Sequence, residues 1–267
     1  MTGFPLPVEL AARARDVLAG RVEPVPTRDA ATVVILREGP EVYLLRRKST
    51  MAFAAGAYVF PGGSVDGRDT DQAVAWAGPS PAEWGAVFHA SEQVARGLVC
   101  AAVRETFEES GVLLAGPGPG SVVADTTGDD WEADRLALID RSLAFADFLA
   151  RRGLVLRSDL LKPWAHWITP EIEQRRFDTR FFVAVLPEGQ RTRDVGGEAD
   201  QVAWRRPAEA IELAHRREIF LMPPTYHTLT ELSAYDSVAE VLAAHREIVT
   251  IMPRAVEIEG EMRLVMT

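Results

Sequence analysis

The residues whose types and spacing could do chemistry are Arg104, Glu105, Glu108 and Glu109, within Arg104-Glu105-Thr106-Phe107-Glu108-Glu109-Ser110-Gly111-Val112. With Leu98 to Val103 before it, this run predicts the last turns of an amphipathic helix, ended by Gly111 as a left-handed C-cap. Side chains three and four apart share a helix face, so the three glutamates project their carboxylates to one side. Like charges at that spacing cost about 0.2–0.5 kcal/mol per pair. The C-terminal end of the helix dipole repels anions further. Such a grouping calls for a positive partner, and a hard divalent cation with oxygen ligands is the natural one. Taken alone, a Glu-rich helix end reads first as a solvated acidic face.

The surrounding elements must position that helix end. Leu6 to Leu18 predicts a leading helix stopped at Gly20. Ala31 to Leu36 and Glu41 to Leu45 read as a hairpin across Glu38-Gly39-Pro40. Tyr58-Val59-Phe60 is a strand entering the turn Pro61-Gly62-Gly63. A polar stretch with short helices follows to Ser91, which caps the long helix to Ser110. Gly116 to Asp130 reads as a mobile loop. Trp131 to Arg152 has helical periodicity, with Leu136, Ile139, Leu143 and Phe148 on one apolar face. Trp164 to Thr169 and Thr179 to Leu186 are strands, joined by a charged connection that holds Arg175 and Arg176. Gly196-Gly197-Glu198 leads into a strand from Gln201 to Trp204. Helices then start at Pro207, Pro223 and Asp236-Ser237. Strands at Glu247 to Met252 and Met262 to Met266, with Glu259-Gly260 as a turn, complete a mixed α and β order around one sheet.

Composition narrows the partners. A 47% hydrophobic, 25% charged chain of 267 residues can bury a full core as a soluble globular protein. A net charge of −10 argues against general affinity for nucleic acid or an anionic membrane, so an anionic substrate needs local cations. The single cysteine, Cys100, lies in an apolar run and excludes an intrachain disulfide framework. Without a basic region followed by an apolar core at the N-terminus, the expectation is a cytoplasmic protein. The histidines lack metal-ligand spacing and receive no role.

Gly62-Gly63 after a strand, an acidic residue at Asp69, and Arg-Glu-x-x-Glu-Glu-x-Gly-hydrophobic at Arg104–Val112 together resemble the Nudix hydrolase box. The second half of the box matches throughout. The first half departs twice: aspartate stands at Asp69 where the family has glutamate, and the spacer to Arg104 is about 27 residues too long. This split box is similar to that of the coenzyme A diphosphatase-like Nudix proteins. So are Gly56 to Gly63, Trp167-Ile168-Thr169-Pro170 and Arg175 to Thr179.

The resemblance implies an α/β fold, a Nudix-type α/β/α sandwich with a mixed sheet and C-terminal helical additions. It implies one domain over residues 1–267, with box halves at 60–69 and 104–112, an insertion at about 70–97 and an extension at about 207–267. It makes Glu105, Glu108 and Glu109 the ligands of Mg²⁺ or Mn²⁺, Arg104 their orienting partner, and Glu198 a candidate general base. Arg46, Arg47, Phe60, Gly62, Gly63, Arg175 and Arg176 become candidate substrate contacts, with the arginines alternatively solvated strand ends. Asp66 and Asp69 either back the site or are turn acids. The implied reaction cuts the diphosphate bridge of coenzyme A or acyl-coenzyme A. Its alternatives are ADP-ribose, NADH or another nucleoside diphosphate derivative as substrate, or a Nudix-like module that binds nucleotide without cutting it. The resemblance also admits a homodimer.

Overall fold

The computed structural model describes residues 4–50, 54–71, 73–193 and 199–266. Its centre is a nine-stranded mixed sheet. Arg28–Arg37 runs parallel to Phe177–Val185, in register from Phe177 opposite Arg28 to Val185 opposite Leu36. Glu41–Arg47 returns antiparallel to Arg28–Arg37, and Lys162–Ile168 lies antiparallel to Phe177–Val185.

Period-two alternation explains why both faces of this sheet are covered. Val33, Ile35, Tyr43, Leu45, Phe182 and Ala184 point to one side, where they join the buried face of the Glu92–Ser110 helix through Val99, Val103 and Phe107. Val34, Leu36, Val42, Leu44 and Val183 point to the other. There Pro207–His215, Pro223–Leu232 and Val238–Ala243 cover them with Ala210, Leu229, Leu232, Val238 and Val241. The result is an α/β/α sandwich.

The Glu92–Ser110 helix forms as its sequence predicts. The Ser91 hydroxyl accepts from the Val94 N–H, and Gly111 closes the other end with φ 75°. The first box half ends in a 3₁₀ turn, Gly67–Thr70, and the insertion holds the helix Pro81–Phe88, which sets Trp84 and Phe88 edge-on against Phe182.

Several expectations need correction. Gly62 and Gly63 lie in a strand, Gly62–Ser64, paired with Arg28–Arg37. The region after Gly116 is irregular but fastened: the Thr126 hydroxyl donates to the Gly111 carbonyl at 2.6 Å, and the Gln190 amide donates to the Val123 carbonyl at 2.6 Å. Residues 131–152 do not form one helix. Asp129–Ile139 and Phe145–Arg151 are separated by a turn in which Arg141 adopts φ 64°. The break rotates the anticipated face, leaving Leu136 51% and Ile139 43% exposed, while Leu138 and Phe148 are buried.

The C-terminal region also contributes strands. Thr250–Ile251 extends the main sheet beside Lys162–Ile168. An unanticipated strand, Arg254–Ile258, pairs with Glu261–Val265 across Glu259 and Gly260, both at positive φ as a type I′ turn requires. Among the described residues no helix is long and apolar enough to cross a membrane.

Candidate active site

The two box halves, distant in sequence, meet at Arg104. Its Nε and Nη2 donate to the two carboxylate oxygens of Asp69 at 3.0 and 2.8 Å, a forked pair with Asp69 only 2% exposed. Nη2 also reaches the Ser64 carbonyl at 3.1 Å. Nη1 donates to Glu105 at 2.8 Å and to Glu108 at 3.1 Å. Asp69 is therefore the residue that aims Arg104. It is fixed in turn by a reciprocal cap with Asp66 that closes the Gly67–Thr70 turn.

The glycine strand sits directly against these carboxylates. The Gly62 N–H donates to Glu109 Oε2 at 2.8 Å. At Gly63, an added Cβ would lie 2.4 Å from Glu105 Oε1 and 2.5 Å from its Cδ, so only glycine leaves that carboxylate its place.

Further cations meet the helix end. Arg135, 1% exposed, donates Nη1 to the Glu108 carbonyl at 2.6 Å. The Arg193 guanidinium packs at Gly111, its Nε 2.8 Å from where a Cβ would stand, and its backbone N–H donates to the Ser110 carbonyl at 3.0 Å. Part of the positive partner demanded by three glutamates at a helix C-terminus is thus supplied by the chain. Burial pushes the Glu105 carboxyl up to about 7; Arg104 opposes the shift and Glu108 adds to it. Burial likewise raises Glu108, against Arg104.

Arg104 bonds three of the carboxylates here, those of Asp69, Glu105 and Glu108, while Glu109 accepts from the Gly62 N–H. Their hard oxygens and excess negative charge suit a divalent cation in donor chemistry. As they stand, Arg104 and not a common centre gathers Glu105 and Glu108. Among the described residues no group of three or more acidic, histidine or cysteine side chains is poised to hold a metal ion. Ligation by the glutamates would require them to turn from Arg104 toward one another.

These carboxylates open onto a cavity of about 710 Å³ that Phe60, Gly62, Gly63, Arg47 and Arg175 also line. Arg46 and Arg176 stand elsewhere. Arg46, one position from Arg47 on a strand, turns to the opposite face and bonds Asp200 at 2.6 Å. Arg176 is buried and donates to the carbonyls of Thr169 and Val25 at 3.1 and 2.8 Å, so it fastens backbone. Glu198 lies outside the described residues.

Sequence reasoning missed Arg28, Arg68 and Arg141 at the cavity, along with its apolar wall of Leu138, Leu143 and Phe145. Arg68 had a signal in its position between Asp66 and Asp69. Arg28 opens the central strand beside Phe177, and Arg141 with the apolar wall depends on the turn that breaks residues 131–152.

Comparison with known proteins agrees with this geometry. The solved structure of a Nudix hydrolase from Alicyclobacillus acidocaldarius superposes with a TM-score of 0.68 at 26% identity, covering 84% of this chain and 98% of the other. The fold and the Arg104–Glu109 cluster thus define a Nudix protein. More narrowly, residues 82–232 match the model of the NUDT19 Nudix domain, and the chain belongs to that family. Among its relatives are the acyl-coenzyme A diphosphatases NUDT19 of Xenopus laevis, 28% identical over 244 residues, and Homo sapiens, 29% identical over 243. These alignments cover 75% and 76% of this chain but only 62% and 63% of the relatives, so the chain spans roughly three fifths of their length.

Proposed function

We propose that this protein hydrolyses the diphosphate bridge of coenzyme A or acyl-coenzyme A. Water would enter at one phosphorus and the bridging P–O bond would break. The products are 4′-phosphopantetheine, or its acyl form, and adenosine 3′,5′-bisphosphate. The observation that carries this reading is the cavity itself, with buried carboxylates organised by Arg104 at one end, arginines around them and an apolar wall from Leu138, Leu143 and Phe145. The activity in the relatives' names supports the substrate.

Glu105, Glu108 and Glu109 would hold Mg²⁺ or Mn²⁺, which when bound neutralises the diphosphate, acidifies water and steadies the leaving phosphate. The chain's own residues do the positioning. Asp69 fixes the plane of Arg104, and Arg104 restrains Glu105 and Glu108. Gly62 and Gly63 bring backbone against the carboxylates, with the Gly62 N–H on Glu109. Arg47 and Arg175, on the cavity wall, offset substrate charge that this acidic protein would otherwise repel.

A panel of coenzyme A, acyl-coenzyme A, ADP-ribose and NADH, each with Mg²⁺ and with Mn²⁺, tests the assignment. The expected result is preferential cleavage of the coenzyme A compounds, lost in Glu108→Gln. Coenzyme A left intact while ADP-ribose is cut overturns the substrate, and undiminished activity of Glu108→Gln overturns the mechanism.

A further inference from the structure

The break between Asp129–Ile139 and Phe145–Arg151 delivers an arginine to the cavity. The turn is built locally. The Arg141 N–H donates to the Leu138 carbonyl at 3.0 Å, the Leu143 N–H to the Ala137 carbonyl at 3.0 Å, and the Ser142 N–H to the Asp140 carboxylate at 2.8 Å. Arg141 occupies the left-handed region at φ 64°, which favours glycine. It is also tied across the chain, because Arg68 Nη1 donates to the Arg141 carbonyl at 3.1 Å. The backbone at this position is therefore held from both sides of the box insertion.

The side chain is not held in the same way. It is 73% exposed, lines the cavity, and approaches Asp66 only to 4.0 Å. Asp66 is already engaged, with both its oxygens bonded by Arg68 at 3.1 Å. Nearby, Arg104 spends its donors on Asp69, Glu105, Glu108 and the Ser64 carbonyl. Arg141 thus brings to the cavity that holds the glutamates a guanidinium near enough to favour the Glu108 carboxylate, with its 4.0 Å approach to Asp66 as its ion pair among the described residues. Left-handed backbone alone does not explain it: Arg217, at φ 60° beyond the Pro207–His215 helix, has the same conformation and is not among the residues lining the cavity.

We propose that Arg141 binds the diphosphate of the substrate, as a guanidinium held over the carboxylate end of the cavity by a tethered turn. A fixed backbone with an exposed planar donor fork is the arrangement that captures phosphate oxygens at low ordering cost. The proposal rests on the diphosphate-hydrolase reading of the site and adds a substrate contact to it.

Arg141→Gly removes the guanidinium at a position whose backbone suits glycine, and Arg217→Gly makes the same exchange away from the cavity. Steady-state kinetics on coenzyme A and on 3′-dephospho-coenzyme A, with calorimetric binding of inorganic pyrophosphate in Mg²⁺, read the effect. Arg141→Gly should raise KM about tenfold on both substrates and weaken pyrophosphate to a similar degree, with a smaller change in kcat and no loss of Tm. Arg141→Lys should recover part of the affinity, and Arg217→Gly should match the parent. Unchanged KM and pyrophosphate affinity in Arg141→Gly overturn the proposal. So does a penalty confined to coenzyme A, which would move the contact to the 3′-phosphate. Should neither substrate be cut, the hydrolase reading fails, and the pyrophosphate measurement still decides whether Arg141 binds a diphosphate.

Discussion

Adjacent glycines should give opposite phenotypes when each is replaced by alanine. At Gly62 the new Cβ would meet backbone, the Ala31 carbonyl oxygen at 2.5 Å and Thr32 Cα at 2.8 Å, plus Thr32 Oγ1 at 2.7 Å. Neither backbone atom can move without shifting the Arg28–Arg37 strand, which lies at the centre of the sheet. Overpacking of this kind costs roughly 1–3 kcal/mol. For a domain of this size each kcal/mol moves Tm by about 2–4 °C, so Gly62→Ala should melt roughly 2–12 °C lower.

At Gly63 the three atoms nearest the Cβ would all belong to the Glu105 carboxyl, with Oε1 at 2.4 Å, Cδ at 2.5 Å and Oε2 at 2.7 Å. That carboxyl can yield about an ångström, but only by straining its 2.8 Å bond to Arg104. Misplacement of about 1 Å costs on the order of 100-fold in rate. Gly63→Ala should therefore keep its Tm within about 2 °C while kcat for coenzyme A falls on the order of 100-fold. Thermal melts and initial rates on the two proteins suffice. Full activity in Gly63→Ala, or loss of stability without loss of rate, would refute the reasoning that Gly63 exists to seat Glu105.

Other perturbations separate support from chemistry. Asp69→Ala strips Arg104 of its forked partner while Glu105 and Glu108 still offset its charge, and should cost roughly 1–3 kcal/mol in denaturant unfolding; a midpoint equal to the parent's would contradict the role given to Asp69. Arg175→Ala should raise KM without lowering Tm, whereas Arg176→Ala should lower Tm and leave KM alone, because only the first lines the cavity. Burial pushes the Cys100 thiol up to about 12, so at pH 8 it is almost wholly protonated. Alkylation of the native protein should be slow and should accelerate strongly in denaturant, and rapid native labelling would refute that burial.

The sequence was most informative where one element satisfies several rules together. Ser91, the apolar run through Val103 and Gly111 all define the same helix, and its start, end and buried face emerged as expected. The hairpin of Arg28–Arg37 with Glu41–Arg47 was legible as two apolar, β-branched runs across Glu38-Gly39-Pro40, although the alternation of strand side chains sends Arg46 away from the cavity that Arg47 lines. Asp69 could not be distinguished from a turn acid, because its partner Arg104 is 35 residues distant and meets it only after the insertion folds back. Residues 131–152 carry continuous helical periodicity, and the break at Arg141 has no glycine or proline to mark it. Charge was the least legible feature. Arg135 and Arg193 support the glutamate-bearing helix end from segments whose sequences give no sign of that destination.

The most direct test is product analysis by mass after incubating coenzyme A and Mg²⁺ with the parent protein and with Glu108→Gln. The account predicts 4′-phosphopantetheine and adenosine 3′,5′-bisphosphate in equal amounts from the parent, and little of either from the variant. Intact coenzyme A with the parent, or equal product from both proteins, would contradict it.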